Sequence, residues 1–129
     1  MESAGGAYRS RPGGAAYDLR QVFDDVNDRY FGGSLAPPRL LWSERVPSRE
    51  FGHYEPATDT VRLSRRLDST AVPRFVLEHV MHHELLHRVL GAERRGDRRR
   101  YHSARFRREE RRFEHYREAE AVLEGLARG

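Results

Sequence analysis

Residues 72–91 read VPRFVLEHVMHHELLHRVLG, and this stretch says more about the fold than any other part of the 129-residue chain. It is mostly apolar or histidine from Val72 to Leu90, in the spacing of a helix with one buried face. The boundary signals are Ser69 or Thr70 as a cap, Pro73 in the first turn and Gly91 at the end. The stretch therefore predicts a helix that packs against the core.

Within this helix, His83, Glu84 and His87 form the pattern HExxH. Four helical residues advance about 6 Å and turn about 400°, so the two imidazoles leave the same face one turn apart. Zinc binds neutral imidazole nitrogen and, in a catalytic site, keeps one position for water. Glu84 can hydrogen-bond that water and accept its proton. The pattern predicts two ligands and the general base of a zinc hydrolase.

A hydrolytic zinc site takes a third protein ligand, which must come from elsewhere in the chain. His102 lies 15 residues after His87, just before a predicted helix that can fold it back over the site, and is the preferred candidate. Glu109 and Glu110 are the alternatives, because glutamate also completes such sites. Spacing alone does not decide whether His102 or one of these two carboxylates is the third ligand.

The other four histidines are predicted to have other roles. His79 is about 12 Å from His87 along the helix, too far for three successive turns to share one ion, so it should pack or support a ligand. His82 points about 100° away from His83 and is predicted to be a core or surface residue. His53 and His115 are outside candidates for the third ligand; otherwise His53 is expected to line the cleft, and His115 to lie on a solvated helix face.

Composition bounds the class of protein. The length suits one domain, and neither a membrane-spanning run nor a hydrophobic signal segment is present, which makes the cytoplasm the expected location. The chain has no cysteine, which excludes disulfides, a catalytic thiol and cysteine-bound zinc. Any metal must be held by histidine, aspartate or glutamate.

Basic residues are concentrated in one segment. All 24 basic residues are arginine, and Arg88–Arg112 holds 11 of them against four acidic residues, a local charge of +7 in a chain of net charge +4. Guanidinium groups match phosphate oxygens, so the segment could contact nucleic acid or another polyanion. A run of this kind is more commonly a solvated face with internal ion pairs, and this is the favoured interpretation. Contact with a polyanion remains the alternative.

The remaining pattern predicts an α+β domain over residues 17–129, after a flexible tail over residues 1–16. A first helix runs from Asp18 to Tyr30, and a long last helix from Ser103 to Ala127. Between the first helix and the HExxH helix lie three short predicted strands, at Arg39–Ser43, Phe51–Tyr54 and Thr60–Ser64. Residues 56–59 supply the hairpin turn between the second and third strands.

A succession of residues in fixed order resembles the SprT-like metallopeptidases, which include the Spartan and YgjP-like branches. The landmarks are Tyr30, Phe31, Gly33, Ser34 and Leu35; Trp42 and Ser43; Phe51, Gly52 and Tyr54; Val61, Leu63, Ser64 and Leu67; His83, Glu84 and His87; and His102, Ser103 and Phe106. Ser103 stands where SprT-like proteins usually have glycine, and the zinc-ribbon extension of some relatives is missing.

The three predicted strands are expected to form a small, mostly antiparallel sheet, and the resemblance implies a compact zincin-like fold. It implies that His83, His87 and His102 bind one Zn²⁺ and that Glu84 is the catalytic base. The expected activity is endopeptidase cleavage of unfolded or DNA-associated protein through a metal-activated water, with the strand nearest the metal helix offering its edge to an extended substrate.

One alternative function and one open role remain. The alternative is a nucleic-acid or polyanion-binding module in which zinc is structural, supported by the Arg88–Arg112 segment. An additional donor to the oxyanion is plausible, with Tyr54, Tyr101 and Arg105 as candidates. Nothing in the sequence selects among these three, and nothing sets the oligomeric state.

Overall fold

The computed structural model describes residues 13–44, 50–91, 93–95, 98–100 and 102–128. The elements in chain order are helix α1 (Leu19–Tyr30), strands β1 (Arg39–Ser43), β2 (Gly52–Glu55) and β3 (Thr60–Ser64), a 3₁₀ turn (Arg65–Leu67), helix α2 (Arg74–Leu90), strands β4 (Glu93–Arg95) and β5 (Arg98–Arg100), and helices α3 (Ala104–Glu110) and α4 (Tyr116–Arg128). The predicted α+β class, the N-terminal helix, the three-stranded sheet and the HExxH helix are confirmed.

The three-stranded sheet has the order β1-β3-β2. Strand β2 runs antiparallel to β3, as the predicted hairpin requires, whereas β1 runs parallel to β3. The sheet is therefore mixed, and the expectation of a mostly antiparallel sheet was wrong. The reason is that β2 returns the chain, so that β3 can run beside β1 in the same direction and form the centre of the sheet.

Helix α2 lies between α1 and the sheet, and it forms because its apolar residues reach the core from both sides. Val76, Leu77 and Met81 are fully buried, and they belong to the same cluster as Phe23 of α1 and Leu63 of β3. The extended Pro73 occupies the cap position without a side-chain hydrogen bond, so neither Ser69 nor Thr70 caps the helix. At the other end Gly91 has a φ of 66°, which is why glycine suits that position.

The predicted long helix from Ser103 to Ala127 is two helices, α3 and α4, joined by a turn over residues 111–115. The break occurs at Phe113, which is 2% exposed and packs against Tyr30 and His82. The hydroxyl of Tyr30 accepts a hydrogen bond from the backbone N–H of Glu114 at 3.0 Å. Burial of one aromatic side chain thus overrides an otherwise continuous helical sequence, which contains neither glycine nor proline at the turn.

Two further segments complete the description. The backbone N–H groups of Ala15, Ala16 and Tyr17 donate to the carboxylate of Asp68 at 2.7 to 3.1 Å, so the end of the predicted tail contacts the domain. The predicted flexibility of residues 1–12 concerns a segment outside the described residues. Strands β4 and β5 pair antiparallel within the arginine-rich segment. No helix in the described part of the chain is long and apolar enough to cross a bilayer.

Candidate metal centre

Three imidazoles come together at one end of α2. His83 and His87 lie one turn apart with ring centroids 4.9 Å from each other. His102 lies just before α3, and its ring centroid is 5.2 Å from that of His83 and 5.0 Å from that of His87. Each ring offers a nitrogen within 4.8 Å of the other two. The fold therefore brings together the two histidines of the HExxH pattern and the preferred third candidate.

The distance between the ring nitrogens of His87 and His102 suits a zinc ion. Two nitrogens bound to one tetrahedral zinc at about 2.0–2.1 Å lie about 3.3–3.4 Å apart. The Nε2 atoms of His87 and His102 are 3.2 Å apart. Burial, followed by the charges of His83 and His102, lowers the pKa of His87 to about 4, and burial also lowers the pKa of His102. Both rings are therefore neutral at pH 7, which is the form that binds metal.

Phe106 forms the floor beneath the three imidazoles. Its ring centroid lies 5.0 Å from that of His83, 4.6 Å from that of His87 and 4.9 Å from that of His102, and the residue is 1% exposed. Ser103 fixes its approach, because the Ser103 hydroxyl accepts from the Phe106 N–H at 3.1 Å and caps α3. The sequence offered this residue as a family landmark but did not indicate its contact with all three candidate ligands.

Glu84 lies next to His83 in a buried position, 5% exposed, on the wall of the cleft. Burial raises the pKa of its carboxyl to about 7, against the lowering effect of His83. Strand β2 approaches α2 closely here, because Gly52 lacks a side chain: a Cβ at Gly52 would lie 2.9 Å from the Glu84 Oε2 atom. A carboxyl with a pKa near neutrality can both accept and release a proton, as a general base requires.

The two glutamates considered as alternative third ligands lie elsewhere. The Glu110 carboxylate contacts Nδ1 of His83 at 2.6 Å, on the opposite side of the ring from the Nε2 atom. Burial lowers the pKa of His83, but the hydrogen bond and charge of Glu110, with the charge of Glu84, outweigh it and raise the pKa. Glu109 pairs with Arg112 at 3.4 Å near the surface. Neither carboxylate joins the group formed by His83, His87 and His102.

Comparison with known proteins agrees with this arrangement. A family model described as the SprT-like family matches residues 19–123, from the start of α1 to within α4. The chain belongs to the SprT-like family. Neither the curated proteins nor the solved structures contain a significant match. Membership of the SprT-like family is consistent with a zinc-metallopeptidase-like domain, and the three converging histidines supply the donor atoms that such a domain needs.

His79 and His82 of this SprT-like domain are buried helix residues, apart from the three converging histidines. His79 is 2% exposed, and its Nε2 atom contacts the Glu120 carboxylate at 2.6 Å. His82 is 3% exposed and packs against the rings of Tyr30 and Phe31, and burial lowers its pKa to about 4. Both rings thus serve packing, and His79 also binds α4 to α2.

His53 and His115 also lie outside the three-histidine group. His53 is on β2, half exposed, with its Nε2 atom 3.5 Å from Glu55, and it lines the cleft. His115 lies in the turn before α4 and not on a helix face as predicted, and its ring centroid is 5.1 Å from that of Phe75.

The three candidates for an oxyanion donor have different surroundings. Tyr54 lines the cleft, but its hydroxyl donates to Asp59 at 2.8 Å, and burial together with that hydrogen bond raises its pKa. The Asp59 carboxylate also accepts a hydrogen bond from the guanidinium of Arg88 at 2.9 Å. Arg105 is exposed on α3 and is not among the described residues that line the cleft. Tyr101 lies outside the described residues.

The cleft is lined by residues of β2, α2 and α4 and has a volume of about 1430 Å³. Its described lining includes His83, Glu84, His87 and His102 together with the whole of β2. Strand β2 is at the edge of its sheet and pairs with β3 alone among the described strands. A chain lying in the cleft would therefore meet a strand edge and the three histidines together.

Proposed function

We propose that this SprT-like chain is a zinc-dependent endopeptidase. The observation that carries the proposal is the convergence of His83, His87 and His102, each with a nitrogen within 4.8 Å of the other two, beside the buried carboxyl of Glu84. A structural zinc site would have its coordination closed by four protein ligands, whereas three ligands opening into a cleft leave room for a water and a substrate. This arrangement favours hydrolysis over a purely structural zinc.

In the proposed reaction, the ion and Glu84 have separate roles. When bound, zinc would polarise a peptide carbonyl and make water acidic enough to lose a proton near neutral pH. Glu84 is placed to take that proton as the water attacks the carbonyl carbon, and then to deliver it to the amine that leaves. A pKa of about 7 suits both transfers, because the carboxylate can accept a proton and the carboxylic acid can donate it.

The free edge of β2 is the element that would hold the substrate. Ser64 donates its N–H to the carbonyl of Phe51 at 2.8 Å. Because hydrogen-bonded pairs alternate along an antiparallel ladder, the N–H and C=O groups of Gly52 and Tyr54 point away from β3. An extended peptide could pair with these groups as an added strand, and its backbone would then pass beside Glu84. Backbone pairing of this kind requires an unfolded segment of the substrate.

The charge of the cleft favours basic substrates. Four glutamates besides Glu84 and Glu110 line it: Glu50, Glu55, Glu120 and Glu124. The lining also includes two arginines, and one of them, Arg88, is engaged by Asp59. An acidic cleft in a chain of net charge +4 should attract arginine-rich and lysine-rich segments. Such segments are common in proteins that bind nucleic acids, which supports DNA-associated or unfolded protein as the substrate.

Replacement of Glu84 by Gln tests the peptidase proposal. The variant should keep one zinc per chain, because no ligand changes, while cleavage of an unfolded protein such as reduced casein falls by at least about 100-fold. Glu118→Gln on α4, outside the lining of the cleft, is the matched control and should cleave at the parent rate. Cleavage by Glu84→Gln at the parent rate would refute the role of Glu84 and with it the proposed function.

A second activity, contact with nucleic acid, is favoured by the surface around α3. Five exposed arginines lie within eight residues of one another: Arg105, Arg107, Arg108, Arg111 and Arg112. We propose that they contact phosphates. Arg107→Ala combined with Arg108→Ala should weaken DNA binding and flatten its salt dependence, since two fewer counterions are released. Arg20→Ala, on α1 and paired with Asp24, is the control. Binding that does not respond to salt would refute this proposal.

A further inference from the structure

Glu110 of α3 contacts His83, the candidate ligand that directly precedes Glu84, the proposed general base. The Glu110 Oε2 atom lies 2.6 Å from Nδ1 of His83, and the Glu110 side chain is 12% exposed. A carboxylate accepts hydrogen bonds and cannot donate one, so the proton in this contact is on Nδ1. The lone pair of the neutral ring is then on Nε2, the nitrogen that is left to bind an ion.

A second carboxylate–imidazole pair lies beside the first. Nε2 of His79 contacts Glu120 of α4 at 2.6 Å, and one ring nitrogen of His79 and one carboxylate oxygen each of Glu110 and Glu120 lie within 4.8 Å of one another. Two imidazoles of α2 thus each contact a carboxylate, one from α3 and the other from α4. Each pair docks a C-terminal helix onto α2, and the first pair does so through a candidate metal ligand.

We propose that Glu110 is a positioning residue for the metal centre: it fixes the tautomer and the orientation of His83, so that Nε2 faces the ion. The inference rests on the zinc site of the proposed function. A free imidazole exchanges its proton between the two nitrogens and rotates about its side-chain bonds, and both freedoms oppose metal binding. A carboxylate on Nδ1 removes them and makes the ring a more basic ligand, an arrangement worth about 10- to 100-fold in metal affinity.

Helix geometry explains why this support comes from α3. The backbone of α2 sets the direction in which His83 leaves the helix, but rotation about the side-chain bonds still lets the ring turn. Ser103 caps α3 and Phe106 packs beneath the three imidazoles, and Glu110 follows Phe106 by one helical turn on the same side. The same short helix therefore supplies the floor of the site and the group that holds His83 in place.

The test is a set of zinc affinities measured by competition with a chelator for the full chain and three variants. Glu110→Ala removes the acceptor and should weaken zinc binding by about 10- to 100-fold. Glu110→Gln keeps a neutral acceptor for the Nδ1 proton and should bind zinc with an affinity between those of the parent and Glu110→Ala. Glu109→Gln makes the same change of charge one residue away, where the side chain pairs with Arg112, and should match the parent.

One further readout separates positioning from a general effect on folding. The midpoint of thermal unfolding in excess EDTA reports stability without metal, and Glu110→Gln should keep a folded, cooperative transition there. Equal zinc affinities for the parent, Glu110→Gln and Glu110→Ala would overturn the proposal, as would an equal loss in Glu109→Gln.

The metal stoichiometry provides an independent check. We expect one ion per chain in the parent. Two ions, of which Glu110→Ala removes one while the other binds with parent affinity, would instead make His79, Glu110 and Glu120 a second metal site and overturn the proposal. All these readouts are binding measurements, so absence of peptidase activity in the parent would refute the proposed function without changing them.

Discussion

Gly52 sets how closely β2 approaches α2, and its replacement by alanine should damage both stability and the proposed peptidase activity. A Cβ at Gly52 would lie 2.7 Å from Cγ1 of Val80 and 2.9 Å from Oε2 of Glu84, whereas ordinary contacts to a Cβ begin at 3.4 Å. The strand and the helix must therefore separate by about 0.7 Å, or the two side chains must move. Overpacking of a buried contact by one carbon costs about 1–3 kcal/mol.

Catalysis should suffer by an amount similar, in free energy, to the loss of stability, because a tenfold change in rate corresponds to about 1.4 kcal/mol. A displacement of about 1 Å between a catalytic group and its substrate can cost about 100-fold in rate. Gly52→Ala moves Glu84 and the β2 backbone at the same time, so kcat/KM should fall by about 10- to 100-fold. Zinc affinity should stay within about twofold of the parent, because none of the three candidate ligands lies on β2.

The assay compares Gly52→Ala with Gly125→Ala. A Cβ at Gly125 in α4 meets nothing within 4 Å, so alanine there should raise the free energy of unfolding by about 0.5–1 kcal/mol. Urea unfolding measures stability, and cleavage of an unfolded protein at saturating zinc measures activity. If Gly52→Ala is as stable and as active as the parent, the close approach of β2 to Glu84 is wrong.

Three more perturbations follow from single contacts. Asp68→Asn should cost about 2 kcal/mol, because the Asp68 carboxylate accepts three backbone N–H groups from residues 15–17. Burial raises the pKa of Asp68, but the three hydrogen bonds outweigh it and lower the pKa below its ordinary 3.8. The stabilisation by the Asp68 carboxylate is therefore complete above about pH 4 and is lost as the pH falls through the lower pKa of the folded protein. Urea unfolding at several pH values should show the stabilities of the parent and Asp68→Asn becoming equal at low pH. Phe106→Ala should cost about 3–5 kcal/mol in thermal or urea unfolding and weaken zinc binding in the chelator competition, since the three imidazoles lose their floor. Tyr54→Phe should leave kcat/KM within about threefold of the parent, because the Tyr54 hydroxyl is engaged by Asp59; a loss of about 100-fold would assign that hydroxyl to the oxyanion.

Much of the fold was predictable from the local sequence pattern. The helix bearing HExxH, the first helix and all three strands of the sheet were predicted from hydrophobic period, and their bounds differ from those of the structure by two residues or fewer. The placement of β1 was not predictable, because nothing in residues 39–43 tells which neighbour the strand pairs with or in which direction. The break between α3 and α4 was missed for a similar reason. Residues 111–115 are compatible with a helix, and only the tertiary burial of Phe113 stops it there.

The candidate metal centre was also predictable only in part, because some of its contacts depend on tertiary packing. Spacing on one helix predicted that His83 and His87 share a face, and proximity to a folded-back helix favoured His102. The role of Glu110 was out of reach, because spacing along the chain does not show on which side of an imidazole a carboxylate will lie. The close approach at Gly52 was equally hidden, since it depends on the distance between two elements that are far apart in sequence.

Anomalous diffraction at the zinc edge, from crystals grown with one equivalent of zinc, tests the central claim most directly. We predict a single peak at about 2.0–2.1 Å from the Nε2 atoms of His83, His87 and His102, with the fourth position open to the cleft. A peak held by His79, Glu110 and Glu120, or one closed by a fourth protein ligand, would contradict the account.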